Sequence, residues 1–200
     1  MKKVGAAISI LVALAMAALG QTSRTNIQGY YIGETFPEFA AQSGFDLAMC
    51  SGANDLTKPQ KRMCKSAAEV QKGKEVAEDI APRDSNTSYA PYHYLFEGGK
   101  LVLVTTHAKN YSQVLADTKA TYGPPAKYGT VRSIVVRSGY RAVLDTGYAL
   151  WNMPDGVVIT ATEKVDTGAA LGPARSTDLI FCSAEKQKEL DAAAHDNTPL

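Results

Sequence analysis

Three cysteines and three histidines are the side chains of this 200-residue chain best suited to metal binding or nucleophilic chemistry, and their spacing offers little of either. Cys50 and Cys64 bracket the polar stretch SGANDLTKPQKRM, with no second close pair and no neighbouring histidine to complete a zinc site. In an oxidising compartment such a pair reads as a disulfide, and closing a loop of about 15 residues is worth about 3 kcal/mol in the chain-entropy model. Cys182 sits in an apolar run and reads as a buried, inert thiol, because a nucleophilic cysteine wants a histidine and an accessible, electropositive setting. His93, His107 and His195 fall in a loop, at a strand end and in the C-terminal tail, and no two have metal-ligand spacing.

Asp145, Asp155, Glu163 and Asp178 lie near strand ends or turns, where carboxylates serve local hydrogen bonding and solvation. The chain has no G-x-S-x-G, no P-loop and no G-x-G-x-x-G, so hydrolase and nucleotide-binding readings have nothing specific behind them. No catalytic residue, metal or cofactor is assigned from these positions. The lone Trp151 shares an expected strand with Tyr148. Exposed together, the two would mark a ligand or partner surface, whereas packing of Trp151 into the core is the simpler expectation.

The elements that must position these residues centre on YLFEGGKLVLVTTHAKNYSQVLADTKATYGPP, residues 94–125. Gly98-Gly99 between two β-branched and aromatic runs predicts a two-residue hairpin turn, since glycine reaches positive φ at little cost. Asn110 with Gln113 three places on has capping-box spacing, and Tyr111, Val114, Leu115, Thr118 and Tyr122 recur on one helical face. Gly123 and Pro124-Pro125 stop that helix. Upstream, Thr35 with Glu38 starts a short helix that must dock Phe36 and Phe39, read as core packing rather than a ligand grip. A second, lysine- and glutamate-rich helical pattern spans 59–79, interrupted at Gly73, with Met63, Ala67, Val70 and Val76 as its apolar side. Residues 81–91 are an irregular loop. Downstream, 130–137, 140–152, 156–164 and 177–182 are strand-rich in Val, Ile, Thr and Tyr, with Pro154-Asp155-Gly156 a turn between two of them. Residues 167–176 are expected as a loop, and Ser183 caps a final charged helix over 183–194.

Residues 1–20, MKKVGAAISILVALAMAALG, have the lysines, apolar run and small terminal residues of a secretory signal. Removing Lys2 and Lys3 takes the balance from 21 basic and 20 acidic residues to 19 and 20, about −1. A near-neutral chain has no general pull on nucleic acid or on an anionic membrane, and no stable membrane insertion is expected after signal cleavage. The expected organisation is a signal peptide over 1–20 and one α+β domain over 21–200. Within it, helices over 35–80 precede a sheet-and-helix core over 92–182. The fold is an antiparallel sheet of about five or six strands packed against helices on one face.

The order hairpin, capped helix, Tyr-Gly-Pro-Pro stop and Trp-bearing hairpin resembles small exported bacterial α/β proteins of uncharacterised function. More distantly, the Gly33-Glu34-Thr35 helix start, followed by a second helix and then strands, is similar to the SmpA/OmlA (BamE-type) outer-membrane assembly lipoproteins and to the β-lactamase-inhibitor-like fold. The resemblance implies a non-enzymatic module of the envelope that binds another protein, although the lipid-attachment cysteine of those lipoproteins is missing here. The alternative expectation is a small exported hydrolase acting on cell-envelope material.

Overall fold

The computed structural model describes residues 24–52, 55–72, 76–78, 89, 92–137, 140–166 and 174–196, with the backbone alone at 76–78, 133–137, 140–142, 166 and 195–196. The expected signal segment over 1–20, the expected loop over 81–88 and 90–91, and residues 167–173 lie outside the described residues. Helix α1 (Phe36–Gln42) and a 3₁₀ turn (Leu47–Ser51) lead to α2 (Lys58–Gln71). Strands β1 (Val76–Glu78), β2 (His93–Glu97) and β3 (Lys100–Ala108) follow, then α3 (Tyr111–Tyr122). The chain ends in β4 (Lys127–Arg137), β5 (Tyr140–Asn152), β6 (Val157–Asp166), β7 (Ala174–Ser183) and α4 (Ala184–Asp196). The expected α+β architecture is present, among the described residues as one antiparallel sheet of seven strands in the order β1-β2-β3-β7-β6-β5-β4.

Local rules account for most elements. The β2–β3 turn has Gly98 at φ 56° and Gly99 at φ 78°, both in the left-handed region that glycine favours. Both early helices start with a capping box, Thr35 with Glu38 and Thr57 with Gln60. In α3, Asn110 Oδ1 accepts the Gln113 N–H at 3.2 Å, while the Gln113 side chain turns forward to donate to Asp117 at 2.7 Å instead of closing the box.

Three expectations are corrected. The helical pattern over 59–79 ends at Gln71, and Val76 belongs to β1, which pairs Val76↔Phe96 through Glu78↔Tyr94. That three-residue strand takes the sheet to seven strands, beyond the expected five or six. Residues 174–176, expected in a loop, extend β7, where Ala174 to Ser176 pair with Asp166 to Lys164 of β6. Tertiary pairing overrides local composition in both places.

The core lies between the sheet and α1 to α3. Phe36 and Phe39 are 3 % and 0 % exposed and pack edge-to-face on Phe96, with Tyr30 and Tyr94 completing the aromatic cluster. They serve as core, as the sequence suggested. Val114 and Thr118 of α3 are buried, and Tyr122 packs on Phe181 of β7 with ring centroids 5.9 Å apart. Strand alternation sends Cys182 to the opposite face, where Gln187 of α4 meets it. Thus α4 covers part of the far face, anchored by Lys186 pairing with Glu97. Cys50 and Cys64 form a disulfide, Cα–Cα 5.4 Å, that ties the 3₁₀ turn to α2. Among the described residues no helix is long and apolar enough to cross a membrane.

Candidate functional site

Beyond α4, two cross-strand rows stand on the open part of the far face. Registers align His93, Thr105, Ile180, Thr160, Leu150 and Lys127 in one row, and His107, Asp178, Thr162, Tyr148 and Gly129 in the next. Period-two alternation fixes this set, since every member lies an even number of residues from its same-strand neighbours. Most of the first row is half-buried, and His107 and Thr162 are exposed.

The second row holds the densest chemistry. His107 Nδ1 lies 2.5 Å from Asp178 Oδ1, and Lys164 Nζ pairs with Asp178 Oδ2. The Asp178 side chain is 9 % exposed while those of His107 and Lys164 are 52 % and 63 % exposed, so an inward carboxylate holds two outward cation-forming groups. The His93 and His107 rings meet edge-to-face at 6.5 Å. A histidine whose Nδ1 is held by a carboxylate presents Nε2 outward, which suits proton transfer or hydrogen bonding. Among the described residues no group of three or more His, Cys, Asp or Glu is placed to hold a metal ion.

The same face opens into a cleft of about 400 Å³ where β5 and β6 separate. Tyr148, Thr146 and Leu144 line one wall, Thr162, Lys164 and Val165 the other. On the α3 side, Glu163 accepts the Gly147 N–H at 2.9 Å and receives Arg175 Nη1 at 2.8 Å. Burial alone would raise the Glu163 carboxyl, but the Arg175 and Gly147 bonds outweigh it and hold the group below its ordinary value. Over Gly147 lies the Tyr111 ring, so close that an added Cβ would stand 2.3 Å from its Cε1. Glycine is required there because the helix packs on bare backbone.

The residues singled out from sequence divide clearly. Trp151 is 2 % exposed and donates its Nε1–H to the Gly123 carbonyl at 2.8 Å, so it is core, and the Trp151 half of the imagined exposed pair is corrected by burial. Tyr148, three residues away and on the other face, lines the cleft. Cys182 is a free, buried thiol whose Sγ is 3.4 Å from Gln187 Oε1; burial, reinforced by Asp191, pushes it up to about 11. Asp155 is a structural tie, accepting from Thr25 N and Oγ1 at 2.5 and 2.8 Å. Asp145 pairs with Arg132 at 3.3 Å. The side chain of His195 lies outside the described residues.

Sequence reasoning missed the grouping of His107, Asp178 and Lys164, because the partners are separated by a strand crossover. Alternation on β3 and β7 placed each residue on a face, but no local signal states that β7 inserts beside β3. Comparison with protein-family models, with curated proteins and with solved structures returns no match to this chain.

Proposed function

We propose that this chain is an exported, non-enzymatic binding module of the bacterial envelope that works by protein–protein contact, through the open part of the sheet's far face. The observation that carries this reading is the cleft between β5 and β6, where Tyr148, Leu144 and Val131 come to the surface beside the His107–Asp178–Lys164 group. Apolar side chains set among polar ones are the composition of a protein-contact surface. The leader-like residues 1–20 and the Cys50–Cys64 disulfide support an oxidising compartment, periplasmic or secreted. The partner is a protein of the envelope. Tyr148 stays in this reading as a contact residue, and Trp151 supports the surface from beneath.

The test places a photo-crosslinking amino acid at exposed Thr162, and at exposed Glu38 as a control, in the full chain expressed in a bacterium with a C-terminal tag. Discrete adducts from Thr162 and none from Glu38, with the mature N-terminus found beyond the leader, are the expected results. Absence of any Thr162 adduct counts against the reading.

One observation favours a second reading, an exported hydrolase. His107 with Asp178 has the arrangement of a general base and its orienting carboxylate. Turnover of cell-wall fragments by the purified protein, lost in His107→Ala, would establish it and displace the binding module.

A further inference from the structure

β5 and β6 pair from Tyr148↔Thr162 to Asn152↔Val158, yet β5 begins at Tyr140 and β6 runs on to Asp166. Between the last pair and those ends, no register pairing joins the two strands among the described residues. Side chains bridge the gap instead. The Gly147 N–H goes to the Glu163 carboxylate, and Arg175 Nη1 reaches the Asp145 carbonyl at 3.5 Å as well as Glu163. Main-chain N–H and C=O groups are obligatory hydrogen-bonding groups, so two facing strand edges without mutual pairing form a template for a further strand.

Charge selects the occupant. The side chains of Arg132, Lys164 and Arg175 are 74 %, 63 % and 47 % exposed, whereas their partners Glu163 and Asp178 are 14 % and 9 % exposed. Only Asp145, at 54 %, shows its carboxylate to a comparable degree. Cationic ends therefore flank the seam from both faces of the sheet, Arg132 and Arg175 on the α3 side and Lys164 on the far face, while two of the three counter-charges are withdrawn from solvent. Resting on the binding-module reading, we propose that the seam between β5 and β6 receives an extended acidic segment of the partner protein as an added strand, its main chain pairing with residues 144–146 and 164–166.

The test uses the full mature chain and a fluorescein-labelled heptapeptide of alternating glutamate and valine. One control peptide carries N-methyl groups on alternate residues, which removes edge hydrogen bonding without changing charge; another replaces every glutamate by lysine. The parent peptide should raise fluorescence anisotropy and slow amide exchange at 144–146 and 164–166, with each control bound at least about tenfold more weakly. Arg132→Glu, at an exposed site, should weaken the parent peptide while leaving the circular dichroism spectrum unchanged. Equal binding of the parent and N-methylated peptides, or no binding of the parent, overturns strand addition. So does exchange in the free protein as slow at 144–146 and 164–166 as in the paired residues 148–152. If Thr162 crosslinks a partner while the peptide fails, the binding module stands and strand addition falls; if both fail, both fall.

Discussion

Replacing Glu34 by glutamine isolates the cost of one carboxyl held inside the fold. Glu34 is 1 % exposed; its Oε2 accepts from Gln42 Nε2 at 2.9 Å, and its Oε1 has no hydrogen-bond partner. Burial is the main reason that its carboxyl rises from 4.5 to about 7, opposed by the Tyr31 backbone, Gln42 and Arg24 and reinforced by Glu38. In the unfolded chain the group titrates near its ordinary value, so the folded state favours the neutral form by about 3 kcal/mol, at about 1.4 kcal/mol per tenfold. Below 4.5 both states are protonated and Glu34 costs nothing; as pH rises to about 7 the unfolded chain ionises first and stability drains away, with the loss complete above that value. Glutamine keeps the shape and cannot ionise. Urea unfolding of the two proteins at about pH 4.5 and about pH 8 should show Glu34→Gln gaining about 3 kcal/mol on the parent chain across that range, seen also as about 6–12 °C in Tm. Parallel pH profiles would refute the reasoning, because they would mean that the charged carboxylate is solvated where it stands.

Mass spectrometry of unreduced protein should show Cys50 joined to Cys64, with Cys182 alkylated only after unfolding; a link through Cys182 would contradict the threading of β7. Removing the bridge with Cys50→Ser and Cys64→Ser should cost about 3 kcal/mol in chemical denaturation. Gly147→Ala drives a methyl group into the Tyr111 ring and should cost about 1–3 kcal/mol, much of it recovered when Tyr111→Ala is added. Unchanged stability in the single variant would place the ring elsewhere. Replacing Gly98 and Gly99 together by valine forces two β-branched residues to positive φ and should lower Tm by several degrees, on the order of 1–2 kcal/mol for each residue.

Legibility in the sequence followed the range of the interaction. The Gly98-Gly99 turn, the Thr35 and Asn110 helix starts, the Gly123 stop and the Pro154-Asp155-Gly156 turn are each specified within a few residues, and each stands where composition placed it. The disulfide was legible because the chain offers only one nearby pair. β1 was hidden, since three residues carry no periodicity and their partner Tyr94–Phe96 is remote in sequence. Tyr148 and Trp151 illustrate the limit at the site. Three positions apart on one strand, they must face opposite ways, yet which face becomes core is decided by where α3 lands. Likewise, the meeting of His107 and Asp178 rests on a pairing 71 residues apart, visible only once β7 is seen beside β3.

The position of β7 has a consequence for how the molecule comes into being. Among the described strands it comes last in the sequence, yet it is the keystone between β3 and β6. Before residue 183 has emerged, the chain can assemble only two half-sheets, β1 to β3 and β4 to β6, whose facing borders stay bare until the final strand slots between them. Closure therefore waits for β7 itself, and chains cut short before it are left with sticky margins prone to self-association.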